Sequence, residues 1–217
     1  MELNRLYLIT DRSKTLSRPL EDVVKAALEG GVRFVQLREK DLSGRELFNL
    51  ARELRELTNR YNAKLLINDR VDIAVAVGAD GVHLGRQSVS VQDARRAFES
   101  SSFSVGVSTH SLEEALQAES EGADFITFSP VYFTPSKAAY DQPVGIDKLK
   151  EVAKAVNIPI FALGGITIAN TEDIMKAGVY GVAMISAIMA SNDVKKAVEE
   201  LIMKIAEHRP LATDNRL

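Results

Sequence analysis

Eight short aliphatic and β-branched runs punctuate the chain, with amphipathic stretches following them. The runs are Leu6–Thr10, Phe34–Arg38, Lys64–Asn68, Gly81–Leu84, Ser104–Ser108, Phe125–Phe128, Ile158–Leu163 and Gly181–Ile185. Their apolar density fits strands covered on both faces, as in a parallel sheet flanked by helices. Leu20–Glu29 follows Pro19 and stops at Gly30-Gly31, which predicts a helix with a proline start and a glycine end. Ser43–Asn59 opens with Ser43 and carries Glu46 three residues on, the spacing of a capping box. Ser111 and Glu114 repeat that spacing ahead of Ala115–Glu121. Val194–Glu207 places Val194, Val198, Leu201, Ile202 and Ile205 on one helical face. Segments 70–77 and 90–98 read as shorter helices. One phrase recurs four times, a Gly just before a strand: Gly31-Val-Arg-Phe-Val, Gly78-Ala-Asp-Gly-Val, Gly122-Ala-Asp-Phe-Ile and Gly178-Val-Tyr-Gly-Val. Each Gly suits the left-handed position that ends a helix.

Eight such units in 217 residues predict an α/β chain folded as one compact (β/α)8 TIM barrel over residues 1–208, with 209–217 as a flexible tail. The rival is a doubly wound open sheet. No strand is followed by G-x-G-x-x-G or G-x-x-x-x-G-K-[ST], so no nucleotide fingerprint supports it. The absence of Cys removes disulfides, thiolate metal sites and cysteine nucleophiles. A net charge of −3 lacks the basic footprint of a nucleic-acid binder. No apolar run approaches the roughly 20 residues of a membrane span, and Met1–Thr10 lacks the basic start of a signal peptide. The expectation is a cytoplasmic protein with small-molecule partners, no nucleic acid and no membrane, and room for a homo-oligomer.

In a barrel, chemistry gathers where strands end. Gln36, Arg38 and Lys40 alternate onto one face at the end of the second run. The two cations suit a phosphate or pyrophosphate, and equally suit pairing with local Glu and Asp. Asp69 ends the third run and suits either Mg²⁺ or a helix N-cap. His110 follows the fifth run as a candidate acid or base. The sixth run leads into the longest connection, with Thr134, Ser136 and Lys137, read as a binding loop or lid or as a plain surface loop. Gly164-Gly165 and Ile185-Ser186 end the seventh and eighth runs, where barrels often bind phosphate through backbone N–H groups. His83 lies inside the fourth run and His208 near the tail, and no two His share a metal-binding spacing. Phosphate-type groups at six of eight strand ends imply one or two small phosphorylated substrates.

These residues sit in motifs that resemble a known family. Leu6-Tyr-Leu-Ile-Thr-Asp11, Gln36-Leu-Arg-Glu-Lys-Asp41, Leu66-Ile-Asn-Asp-Arg-Val-Asp72, Gly78-Ala-Asp-Gly-Val-His-Leu-Gly85, Gly106-Val-Ser-Thr-His110, Thr134-Pro-Ser-Lys137, Pro143-Val-Gly145, Ala162-Leu-Gly-Gly-Ile166 and Ile185-Ser-Ala187 follow in order. The chain resembles the thiamine-phosphate synthase and TenI-type thiazole tautomerase family over almost its whole length. The resemblance implies a synthase joining a pyrimidine diphosphate to hydroxyethylthiazole phosphate, with Mg²⁺, by a dissociative route in which pyrophosphate leaves first. It also implies roles. Gln36, Arg38, Lys40, Asn68, Ser108 and Lys137 would surround the pyrimidine diphosphate, and Tyr7 would join the substrate contacts. Asp69 would hold Mg²⁺. Thr134, Ser136, Gly165, Ile185 and Ser186 would hold the thiazole phosphate. One departure stands out. Synthases carry a second acidic metal ligand after the His-Leu-Gly motif, and here Ser88 takes its place. TenI-like proteins lack that acid too, and their base would map to His110. A non-catalytic thiazole-phosphate binder is a third reading. The retained Thr10-Asp11, Gln36-x-Arg38-x-Lys40 and Thr134-x-Ser136-Lys137 favour the synthase.

Overall fold

Parallel pairing runs from β1 through β8 and back to β1, so the sheet closes on itself. The structure, a computed structural model, describes residues 4–98, 103–134 and 142–208. The strands are β1 (Leu6–Ile9), β2 (Phe34–Leu37), β3 (Lys64–Asn68), β4 (Gly81–Leu84), β5 (Ser104–Thr109), β6 (Phe125–Phe128), β7 (Ile160–Ala162) and β8 (Gly181–Met184). Helices alternate with them: α1 (Leu20–Glu29), α2 (Gly44–Arg60), α3 (Val71–Ala76), α4 (Val91–Arg96), α5 (Leu112–Ser120), α6 (Gly145–Ala155) and α7 (Thr171–Lys176). A short α8 (Ser186–Met189) and a longer α9 (Val194–Ala206) follow β8. This is the (β/α)8 barrel that the eight runs predict. The expected tail, 209–217, lies outside the described residues.

The local signals act as read. Ser43 and Glu46 form the reciprocal capping box that starts α2, and Ser111 accepts from the Glu114 N–H at the start of α5. The four glycines of the repeated phrase all sit at positive φ, where a Cβ would be strained. The phrase also carries an acid with a job. Asp80 accepts from Leu65 N at 2.8 Å and pairs with Arg55. Asp124 accepts from Val105 N at 2.6 Å and pairs with Arg95 at 2.9 Å. The same device thus ties the start of one strand to its neighbour twice around the barrel. Strand β7 is shorter than its apolar run. Pro159 has no N–H to donate at its entry, and Gly164, at φ +98°, turns the chain out of the β region soon after its exit.

Two cores result. Leu, Val and Ile side chains pack between sheet and helices, while Tyr7, Ile9, Phe34, Leu66, Phe125, Phe161 and Ala183 fill the barrel. Tyr7 and Phe34 stack with ring centroids 4.1 Å apart, and Phe125 meets Phe34 edge-on at 5.3 Å. Neighbouring strands make room for the rings with glycine. A Cβ on Gly106 would lie 2.2 Å from Phe125 Cζ and 2.7 Å from His83 Nδ1. Gly106→Ala is therefore expected to destabilise the barrel by about 2–3 kcal/mol through overpacking. An unchanged urea midpoint would show the interior to be looser than these distances.

Candidate active site

All eight strands run the same way, so their C-terminal ends share one mouth. Arg38 and Lys40 follow β2 there. The carboxylates beside them in sequence are already taken. Glu39 turns inward and accepts from the Thr10 hydroxyl at 2.7 Å, from Arg12 N at 3.1 Å and from Arg12 Nε at 3.2 Å. Asp41 accepts from Arg12 Nη2 at 2.7 Å. Burial raises the Glu39 carboxyl above its ordinary pKa, against the Thr10 and Arg12 bonds, which favour the charged form. Arg12 thus absorbs both acids. The side chains of Arg38 and Lys40 make no ion pair among the described residues, so local pairing is not what these cations are for. The backbone N–H of Arg38 donates to Thr10 Oγ1 at 3.0 Å, which fixes where the strand delivers its guanidinium.

Asp69 follows β3 at φ +59°, a left-handed position that Asp tolerates better than most residues. The N-cap of α3 is Arg70, with no side-chain cap bond, so the alternative reading of Asp69 as the helix cap does not hold. Its carboxylate turns to the loop after β4. Oδ1 accepts from Gly85 N at 3.1 Å and from the Ser88 hydroxyl, and Oδ2 accepts from Asn68 Nδ2 at 2.6 Å. Ser88, where the resemblance expects a second acid, closes onto Asp69. No group of three His, Cys, Asp or Glu suited to a metal occurs among the described residues. Counting lone pairs, Oδ1 is filled and Oδ2 keeps one acceptor direction. That donor set fits a Mg²⁺ held by one protein oxygen, with substrate oxygens and water completing its shell.

Across the mouth, Gly164 and Gly165 adopt φ +98° and +65°. A Cβ on Gly165 would lie 2.7 Å from both Phe133 O and Tyr132 Cβ. The backbone needs glycine there for its turn and for the approach of the β6 loop, whose Tyr132 N donates to Gly164 O at 3.0 Å. The N–H groups of Gly165, Ser186 and Ala187 have no acceptor among the described residues. From sequence alone, Gly165→Val would block a ligand with little harm to the fold. The packing corrects this. The variant is expected to lose about 1–3 kcal/mol of stability along with any phosphate affinity, and thermal melting beside ligand titration would separate the two losses.

His110 follows β5 and is half-buried. Its Nδ1–H donates to Ser129 O at 2.6 Å, leaving Nε2 as an acceptor. Its backbone N–H donates to Glu114 Oε2 at 2.7 Å. Tyr7 sits deeper, fully buried, and its hydroxyl accepts from Gln36 Nε2 at 2.7 Å. Both side chains therefore lie one layer below the groups that open to the mouth. Burial pushes the Tyr7 phenol above its ordinary pKa. Asn68 is half-buried beside Asp69, Ser108 is half-buried on β5, and Ile185 and Ser186 stand at the end of β8. Thr134 is the last described residue of its loop, while Ser136 and Lys137 lie outside the described residues. A cavity of about 770 Å³ lies at the other end of the barrel, lined by Arg5, Arg33, Arg55 and Lys64 among others. It holds none of the predicted site residues.

His83, inside β4, joins the site though its sequence position marks it only as a strand residue. Its ring reaches Tyr7 Oη at 3.4 Å through Nδ1, and Ser108 Oγ at 3.0 Å and Thr127 Oγ1 at 3.4 Å through Nε2. Burial lowers its pKa to about 3, partly opposed by the Asp69 charge and reinforced by Arg38. The usable signal was strand alternation, which puts His83 on the inward face with Gly81.

The family described as thiamine monophosphate synthase matches residues 6–188. The chain belongs to the thiamine monophosphate synthase family. A family relative from Geobacter sulfurreducens is 55% identical over 197 residues, covering 91% of this chain and 92% of its own. A thiamine-phosphate synthase from Clostridium novyi is 43% identical, over 93% of this chain and 98% of its own. Among solved structures, thiamine phosphate pyrophosphorylase from Pyrococcus furiosus superposes with a TM-score of 0.85 at 40% identity, over 94% of this chain and 96% of that one. The barrel explains why the motifs carrying Arg38, Asp69, His110, Gly165 and Ser186 follow the C-terminal ends of β2, β3, β5, β7 and β8.

Proposed function

We propose that the chain is a thiamine-phosphate synthase, a transferase that couples hydroxymethylpyrimidine diphosphate to hydroxyethylthiazole phosphate and releases pyrophosphate. The observation that carries the reading is the pair of cations Arg38 and Lys40, which have no ion pair among the described residues, at the same mouth as Asp69. In the reaction the bond from the pyrimidine methylene to the diphosphate oxygen breaks, and the electron pair leaves with the oxygen. The thiazole nitrogen then gives its lone pair to the methylene carbocation. Negative charge grows on the leaving diphosphate, and cations already in place stabilise it without reorganising. Arg38 offers a bidentate fork and Lys40 a point charge. Asn68 and Ser108 add neutral donors, with Gln36 and Tyr7 fixed beneath them, and the family motif adds Lys137 to the diphosphate contacts. By the family motif the thiazole phosphate takes Thr134, Ser136 and Ile185, and the backbone N–H groups of Gly165 and Ser186 would donate to its oxygens. Asp69 would hold a Mg²⁺ ion, which neutralises diphosphate charge when bound.

The substrates are small phosphorylated molecules. No helix among the described residues is long and apolar enough to cross a membrane. A paired assay tests the proposal. One arm supplies both coupling substrates with Mg²⁺, and the other supplies the non-aromatic thiazole carboxylate phosphate alone. Coupling in the first arm is expected. Absent coupling, with tautomerisation that is lost in His110→Ala, would make the chain a tautomerase using the free Nε2 of His110 as its base. Ligand binding without turnover in either arm would make it a non-catalytic relative.

A further inference from the structure

A chain of buried polar groups crosses the barrel beneath the mouth, linking Gln36, Tyr7, His83 and Ser108. We infer that His83 is a positioning residue that fixes the Ser108 hydroxyl as a hydrogen-bond donor aimed into the mouth. This rests on the synthase reading, because the donor's target is the leaving diphosphate.

Gln36 Nε2 donates to Tyr7 Oη at 2.7 Å, so the phenol oxygen already receives one proton. Tyr7 is fully buried, and the other polar atom that its hydroxyl meets is His83 Nδ1. If Nδ1 carried a hydrogen, the phenol O–H would be left buried with no acceptor, at a cost of about 1–3 kcal/mol. The phenol therefore donates to Nδ1, and a neutral His83 carries its hydrogen on Nε2. Ser108 Oγ, 3.0 Å away, is the nearer of the two oxygens around Nε2. It accepts that hydrogen, which leaves its own O–H to turn outward. Each bond in such a series polarises the next, so the outward hydroxyl is a better donor than an isolated serine.

Turning the Gln36 amide over would reverse the series. Ser108 would then donate inward to Nε2 and face the mouth with lone pairs. The charge at the mouth argues against that direction. Arg38 and Lys40 mark an anion site, and lone pairs aimed at a diphosphate repel it, whereas an O–H bonds to it. His83 itself is buried and touches no substrate. Its contribution passes through Ser108, and Tyr7 and Gln36 hold it in turn.

The first test needs no activity. Nitrogen NMR of the ¹⁵N-histidine protein at neutral pH should show the His83 signals of an Nε2–H tautomer, identified by their absence from His83→Gln. An Nδ1–H tautomer would overturn the inference whatever the enzyme does. The second test is kinetic, on the wild type and four variants: His83→Leu, His83→Gln, Ser108→Ala and the double variant His83→Leu/Ser108→Ala. His83→Leu should lower coupling kcat by about 10–100-fold, with KM for the pyrimidine diphosphate within about twofold, because the interaction grows with the leaving charge. His83→Gln places an amide N–H near the position of Nε2 and should recover most of that loss. Adding His83→Leu to Ser108→Ala should cost less than about twofold more, since both act through one hydroxyl. A full additional loss, or a His83→Leu enzyme as fast as the wild type, would refute the role. A wild-type protein that does not couple defeats the synthase reading instead, and the tautomer measurement still stands.

Discussion

Arg38→Met is expected to lower coupling by about two to three orders of magnitude while leaving stability within about 0.5 kcal/mol of the parent. Two features make this dissociation of effects strong. The guanidinium has no ion pair within the described protein, because Arg12 occupies both Glu39 and Asp41. Removing it therefore leaves no carboxylate stranded. Its backbone N–H, the part that Thr10 holds, remains. The loss should fall on kcat more than on KM, since charge on the departing diphosphate exceeds that of the bound ground state. Arg12→Met should do the reverse. It strips the buried Glu39 of a cation and frees two carboxylates beside the mouth, so stability falls and diphosphate binding weakens. Measured melting curves and steady-state constants for both variants check the assignment. A stable Arg12→Met enzyme beside an unstable Arg38→Met enzyme would reverse the roles of the two arginines.

The second large effect is expected at Asp69. Asp69→Asn keeps a side chain that tolerates φ +59° and deletes the charge. Coupling should fall by roughly 10²–10³-fold, the scale of losing an electrostatic group at the reacting charge. Ser88→Asp should act in the opposite sense. It sets a second carboxylate against Asp69 Oδ1, where Ser88 now donates. The Mg²⁺ concentration for half-maximal coupling should drop by about tenfold, because added ligand charge tightens a divalent site. In metal-free buffer the same variant should be less stable than the parent at neutral pH. Two adjacent carboxylates raise one another's pKa, so the deficit should shrink as acid protonates one of them. Titrating Mg²⁺ against coupling rate, with urea midpoints at neutral and acid pH, reads both signs. Coupling indifferent to Mg²⁺ and to both substitutions would remove the metal from the reaction.

Much of the frame could be read from residues because barrel strands are short, buried on both sides and bounded by glycine. Lys64–Asn68, Gly81–Leu84 and Phe125–Phe128 match their apolar runs end to end. Helices with serine caps were equally plain. Helices α6 and α7 were not, for a physical reason. The first begins at Gly145 behind Val144 and the second behind Asn170, neither with a side-chain cap bond. At the site, alternation was enough to place Gln36, Arg38 and Lys40 on one face. What stayed hidden depends on contacts between distant segments. Nothing local says that Arg12 would reach Glu39 and Asp41, 27 and 29 residues away. Nor does anything local turn Ser88 toward Asp69, or set His83 between Tyr7 and Ser108.

The aromatic rings packed across the barrel axis have a kinetic meaning. Tyr7, Phe34, Phe125 and Phe161 leave no way through from one end to the other. Two reactants and two products must use a single doorway. Whichever reactant lodges deeper has to arrive first, and whichever product lies nearer the solvent has to leave first. A sequence of arrivals and departures is thus written into four side chains buried below the mouth, and inhibition by each product should betray its place in the queue.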